Sequence, residues 1–278
     1  MWSKPLDIWV NLDIQYLRGQ LSVEDVVGFV VSKAHMCSRL TMYAADDPAV
    51  TALTEALRRV QLPLLRRLQF FSGSAGLSPW RVIQNQLVPS AFLSNAPPPT
   101  HLRLDGFTLP WGRADYFSHV AILVLRFFVG STAPKIWELY RILGAAKALS
   151  RLSAFDVQCE GSCVGLPQLQ LENLRELHLC MSANLNEGLG ELVSRIKAPN
   201  LETFDFAVDV EDDLTLLLAC PDLIANVQNL TIEGFFASAS NIQRLYPLMP
   251  RVSRLDIAAS SNNFFIAMGD SDATLWPN

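Results

Sequence analysis

The chain has 278 residues, 50% of them hydrophobic and 18% charged, with a net charge of −5. This composition excludes an intrinsically disordered polypeptide, and the length supports an ordinary apolar core without metal or disulfide staples. Residues 1–150 hold 15 basic and 10 acidic side chains while residues 151–278 hold 7 and 17, a dipolar distribution that disfavours nucleic acid, whose binders display one dominant basic surface.

In chain order, Met1-Trp2-Ser3-Lys4-Pro5-Leu6-Asp7 places charges and a proline where a secretory signal needs an unbroken apolar stretch. A cytoplasmic or nuclear location is expected. Pro5-Leu6-Asp7-Ile8-Trp9-Val10 reads as a fragment of a repeat strand. Ser22, with Asp25 three residues later, forms a capping box before a predicted helix over 23–36, and Asp47-Pro48 opens a second. The run from Val120 to Val129, interrupted by Arg126, is far shorter than the roughly 20 residues a bilayer demands, and it reads as a buried strand. Further helices are predicted over 134–148, 187–197, 211–219 and 240–248.

Between these helices one pattern recurs nine times: apolar, two residues, apolar, one residue, apolar. Its central positions are Leu40, Leu68, Leu102, Leu123, Leu152, Leu177, Phe204, Leu230 and Leu255, and the last five gaps are 29, 25, 27, 26 and 25 residues. The two closing apolar residues sit two apart, on one face of a short strand, with the residue between them on the other. Pro63, Pro97, Pro199 and Pro250 each stand five residues before a central position, where a proline stops a preceding helix.

Each unit is therefore a helix, a turn and a strand, none able to bury its apolar face alone, so neighbouring units must stack. The expectation is an α/β leucine-rich-repeat solenoid over 1–278. It would be a single domain of about nine to ten irregular repeats, an irregular ribonuclease-inhibitor-like horseshoe with parallel strands on the concave face and helices outside.

Several phrases carry a family resemblance: Leu62-Pro63-Leu64-Leu65-Arg66-Arg67-Leu68, Ala96-Pro97-Pro98-Pro99-Thr100-His101-Leu102, Leu171-Glu172-Asn173-Leu174-Arg175-Glu176-Leu177, Ala198-Pro199-Asn200-Leu201-Glu202-Thr203-Phe204 and Met249-Pro250-Arg251-Val252-Ser253-Arg254-Leu255. As an ordered series the chain resembles the leucine-rich-repeat region of basidiomycete-type fungal F-box proteins. The repeats depart from the standard pattern in lacking a regular asparagine or cysteine after the strand, and the family's amino-terminal F-box has no counterpart in this sequence. The chain is therefore read as a fragment of a longer protein or as a repeat-only paralogue. The resemblance implies the substrate-recognition region of a ubiquitin-ligase receptor, with a cullin adaptor as partner only where an F-box lies upstream. The alternatives are a repeat scaffold or sensor fragment unrelated to ubiquitination and, more remotely, an enzyme.

In such a solenoid, the residues flanking and between the strand leucines face a protein partner. The candidates are Arg39, Thr41, Tyr43, Arg67, Gln69, Phe71, His101, Arg103, Asp105 and Arg126, followed by Glu176, His178, Asp205, Glu233 and Asp256. Tyr43, Arg67, Phe71, Arg103 and Arg126 are expected to form one recognition patch, aromatic and arginine side chains being the usual carriers of interface energy. No catalytic residue, metal or cofactor is assigned. Cys159-x-x-x-Cys163 lacks the second ligand pair that zinc needs, and His35, His101, His119 and His178 fall in different repeats with no fixed spacing to a nucleophile.

Overall fold

Leu6-Asp7-Ile8-Trp9-Val10-Asn11 places apolar Leu6, Ile8 and Val10 two apart on one face, and it forms the first strand, β1 (Leu6–Asn11). The computed structural model describes residues 4–11, 22–44, 47–72, 86–87, 96–108, 111–128, 133–182, 187–209, 215–234 and 243–258. The chain divides into two compact units, Met1–Leu149 and Ser150–Asn278.

The first unit continues with α1 (Val23–Lys33), β2 (Cys37–Ala44), α2 (Asp47–Leu57), β3 (Arg67–Ser72), β4 (Gln86–Leu87), β5 (His101–Asp105), β6 (Phe107–Thr108), β7 (Ile122–Phe128) and α3 (Ile136–Ala145). The capping box is present: the Asp25 backbone N–H donates to the Ser22 hydroxyl at 3.1 Å, and the Ser22 N–H donates to the Asp25 carboxylate at 3.0 Å. The second unit comprises β8 (Arg151–Val157), β9 (Leu169–Gln170), β10 (Glu176–Ser182), α4 (Glu187–Ser194), β11 (Ile196–Lys197), β12 (Thr203–Asp209), α5 (Thr215–Ala219), α6 (Pro221–Ile224), β13 (Asn229–Glu233) and β14 (Arg254–Ala258).

In the first unit β1, β2, β3, β5 and β7 pair in parallel, and in the second β8, β10, β12, β13 and β14 do the same. Register aligns the repeat positions without slip at the centre. Ile8, Leu40, Leu68, Leu102 and Leu123 face one another across the first sheet, and Leu152, Leu177, Phe204, Leu230 and Leu255 across the second. A second apolar row follows each, Val10, Met42, Phe70, Leu104 and Leu125 in one unit and Ala154, Leu179, Phe206, Ile232 and Ile257 in the other. The first-unit members of both rows are buried, and helix α2, with Leu53 and Leu57 buried, packs against β2. This is the leucine-rich-repeat fold: α/β, with parallel strands whose leucine-type side chains are buried row by row.

Two hydrogen-bond series outside the strands repeat with the same period. The carbonyl two residues before the central position accepts from the next repeat: Ser38 from Arg66, Arg66 from Thr100, Thr100 from Ala121, and in the second unit Ser150 from Arg175, Arg175 from Glu202, Glu202 from Gln228 and Gln228 from Ser253. Upstream of seven centres, a β-turn closes on the residue three before the centre: Leu65 N–H to the Leu62 carbonyl, and likewise 120 to 117, 149 to 146, 174 to 171, 201 to 198, 227 to 224 and 252 to 249. The turn-opening residues Leu62, Phe117, Ala146, Leu171, Ala198, Ile224 and Met249 are all buried.

Pro63, Pro199 and Pro250 therefore sit at the second position of such turns, where a fixed φ is pre-organised, rather than directly stopping a helix. Several helix boundaries also differ from expectation: the helix expected over 23–36 ends at Lys33, with Ala34–Met36 a 3-10 turn, and that expected over 134–148 spans Ile136–Ala145. The helix predicted over 187–197 ends at Ser194 because Ile196 and Lys197 pair with Leu169 and Gln170 as strand. Of the segment 240–248, residues 240–242 lie outside the described residues, and Tyr246–Leu248 is a 3-10 turn in which Pro247 lacks the N–H an α-helix requires. Of 211–219, residues 211–214 lie outside the described residues and Thr215–Ala219 is helical.

Candidate functional site

Parallel strands in register place equivalent residues about 4.8 Å apart, so the polar positions of the first sheet form three rows. They are Asp7, Arg39, Arg67, His101 and Ile122; Trp9, Thr41, Gln69, Arg103 and Val124; and Asn11, Tyr43, Phe71, Asp105 and Arg126.

An aromatic stack follows from that register. The Tyr43 and Phe71 rings lie 4.5 Å apart between centroids and 10° from parallel, and Trp9 lies 6.5 Å from Tyr43 at 17°. A guanidinium covers each end, Arg39 over Trp9 at 4.9 Å and Arg103 over Phe71 at 4.3 Å. Trp9 is 59% exposed, a large apolar surface left open to solvent beside two cations.

Hydrogen bonds fix these arginines. Arg103 Nε and Nη2 donate to the Asp105 carboxylate, the shortest contact being 2.7 Å. Arg39 Nη2 donates to Gln69 Oε1 at 2.9 Å, and the Thr41 hydroxyl donates to the same oxygen at 3.1 Å. Asp105 is 6% exposed. Burial pushes its carboxyl above the ordinary value, against the opposing pull of the Arg103 hydrogen bonds and of the charges on Arg103 and Arg126.

The structure thus sorts the expected site residues. Tyr43, Phe71 and Arg103 come together with Arg39 and Gln69. Arg126 faces Asp105 across the register, whereas Arg67 stands in the first row, lining a separate cleft with Arg39, so the expected five-residue patch is not one cluster. Thr41, 0% exposed, and Asp105 are corrected from contact residues to supports: both are buried, Thr41 bonded to Gln69 and Asp105 to Arg103. His101 shares its Nδ1 with the Thr100 hydroxyl at 3.0 Å. Trp9 was not among the expected residues, although the alternation Asp7, Trp9, Asn11 against Ile8 and Val10 carries the signal.

The second sheet presents Arg151, Glu176, Thr203, Asn229 and Arg254; Ser153, His178, Asp205, Thr231 and Asp256; and Phe155, Cys180, Ala207, Glu233 and Ala258. Charges pair across and along its strands. Glu176 binds Arg151 and lies 3.5 Å from His178 Nε2, whose Nδ1 is 2.5 Å from Asp205 Oδ2. Arg254 holds Asp256 at 2.9 Å. Glu233 lines a cleft of about 170 Å³ with His178, Cys180 and Asp205.

Burial raises the thiols of Cys159 and Cys220 to about 12 and that of Cys37 to about 11, keeping them protonated and poorly nucleophilic at neutral pH. Among the described residues no group of three or more His, Cys, Asp or Glu side chains is placed to hold a metal ion, and no helix is long and apolar enough to cross a membrane.

No family model matches the chain, and no curated protein matches it in sequence. Among solved structures it is similar to a Bacteroides fragilis protein at 12% identity and a TM-score of 0.48, covering 91% of this chain and 70% of that one. It is also similar to the APL1 leucine-rich repeat domain at 12% identity and a TM-score of 0.41, covering 82% of this chain and 52% of that one. The chain thus spans about half the length of the second.

Proposed function

We infer that the chain is a non-catalytic protein-interaction module acting as one domain over residues 1–278, and that its first sheet holds the principal contact surface. The observation that carries this reading is the outward stack of Trp9, Tyr43 and Phe71 between Arg39 and Arg103. Rigid aromatic rings flanked by guanidinium groups are the side chains that most often dominate binding energy. Their pairing to Asp105 and Gln69 fixes them before a partner arrives, which lowers the ordering cost of association.

The resemblance of the repeats to those of fungal F-box proteins supports a finer reading, substrate recognition in a ubiquitin ligase. A cullin adaptor then enters only through an F-box upstream. Affinity capture from a fungal lysate with tagged chain tests the coarse and the fine readings together. One client is expected to co-purify with the wild type and to fall roughly thirtyfold or more in affinity with Tyr43→Ala/Phe71→Ala, since paired hot-spot truncations cost at least about 2 kcal/mol. Unchanged capture by that variant refutes the surface. A client that is captured but whose abundance does not depend on a cullin ligase refutes the finer reading alone and favours the unrelated scaffold.

A further inference from the structure

The third outward row of the second sheet changes size abruptly along its length. It runs Phe155, Cys180, Ala207 and Glu233 across β8, β10, β12 and β13. Two small side chains between two long ones leave a notch two strands wide, about 10 Å at the usual strand spacing. That notch is the cleft of about 170 Å³. Sites for drug-sized ligands run from about 300 to 1,000 Å³, so this one has room for a single side chain.

The lining is apolar at one end and anionic at the other. Phe155 stands on β8, with Cys180 and Ala207 between, while Thr231 and Glu233 stand on β13 and Asp205 is the register partner of Thr231. Among the described residues no lysine or arginine lines the cleft. Arg151 and Arg254, in the first row, are already paired with Glu176 and Asp256. Asp205 is held at Oδ2 by His178 Nδ1, whereas Glu233 is exposed and makes no ion pair among the described residues. Two carboxylates against one histidine leave the cleft anionic in either protonation state of His178.

We propose that this cleft takes the side chain of a lysine on a protein partner, an assignment that goes beyond the first-sheet surface and rests on the interaction reading. The lysine stem lies over Phe155, Cys180 and Ala207, as long charged side chains lay their methylenes along apolar surface. Its ammonium reaches the β13 end, where Asp205, Glu233 and the Thr231 hydroxyl offer acceptors to its three N–H donors. Charge complementarity selects a cation. Acceptors spread over three side chains suit a compact ammonium, whereas a guanidinium fork is matched by both oxygens of one carboxylate, and an Asp205 oxygen is already engaged by His178.

The experiment passes degenerate peptide libraries over the full-length chain. One has a single central lysine and no other basic residue; a second has norleucine there, which keeps the apolar stem without the ammonium, and a third has arginine. The lysine library is expected to be retained about tenfold more than the norleucine one, the scale of one charge-assisted hydrogen bond. D205N/E233Q should bring that ratio to about one. A207L, which fills the notch without altering charge, should do the same, with urea midpoints checking that both variants fold. Client capture by Y43A/F71A is read separately, so the first-sheet surface and this cleft can fail independently. Equal retention of the lysine and norleucine libraries overturns the proposal. A lysine preference that survives A207L also overturns it, since it marks attraction to the acidic residues of 151–278 at large. An arginine library retained better than the lysine one overturns it too.

Discussion

At Asp105 two effects oppose each other, and burial wins: the carboxyl is raised although Arg103 donates to both its oxygens. The sign of the pH dependence follows. A carboxyl whose folded-state pKa exceeds its unfolded value takes up its proton more readily when folded, so its contribution to stability grows as pH falls and is lost as pH rises through the folded pKa. Comparing wild type with Asp105→Asn by urea denaturation, the wild type should gain on the variant as pH falls from neutrality toward the ordinary aspartate value of about 3.9. A constant difference across that range contradicts the assignment. Gly188 gives a steric prediction of the same grain. A Cβ there would stand 2.4 Å from the Cys159 carbonyl oxygen, so Gly188→Ala forces backbone to move and should lower stability by about 1–3 kcal/mol, the usual cost of overpacking. An unchanged urea midpoint refutes that close approach.

At the scale of the element, the strand ends share a device. The residue after the third polar row has positive φ in four strands: Gly106 at 73°, Phe127 at 58°, Asp156 at 51° and Gly234 at 72°. A left-handed residue breaks the extended path and turns the chain out of the sheet. This does the work that a regular asparagine does in more uniform repeats, which is why the sequence pattern looked incomplete after the strand. Gly106→Ala and Gly234→Ala should each cost about 1–2 kcal/mol, read from urea midpoints. A cost near zero removes the device.

The strands and their register were legible in the sequence because the two-residue alternation of leucine-type side chains is direct: Leu40, Leu68, Leu102, Leu177, Phe204, Leu230 and Leu255 all stand at aligned positions. The turn was only half legible. Leu62, Leu171, Ala198 and Met249 stood in plain view six residues before the centres, yet the prolines after Leu62, Ala198 and Met249 suggested helix ends, and only the 3.1–3.3 Å closures at 65, 174, 201 and 252 show turns. Leu62→Ala should therefore cost as much as a strand leucine such as Leu68→Ala, about 2–5 kcal/mol. Of the site, residue types and rows were readable. The division of Arg67 from Tyr43, Phe71 and Arg103, and the covering of Thr41, depend on side-chain size and direction within a row, which spacing does not encode.

At the scale of the whole molecule, the proposed single interaction domain over residues 1–278 recognises its partner on the first sheet. A repeat array with shared stability should melt in one calorimetric transition whose van't Hoff and calorimetric enthalpies agree; two separable transitions contradict the single-domain proposal. Photo-crosslinking reads directly which surface meets the partner. Benzoylphenylalanine is placed at Phe71, within the aromatic stack, or at Trp137, a 42%-exposed tryptophan on α3, and the captured client is irradiated with each. A crosslink is expected from position 71 and none from 137, and a client that crosslinks from 137 but not from 71 contradicts recognition on the first sheet.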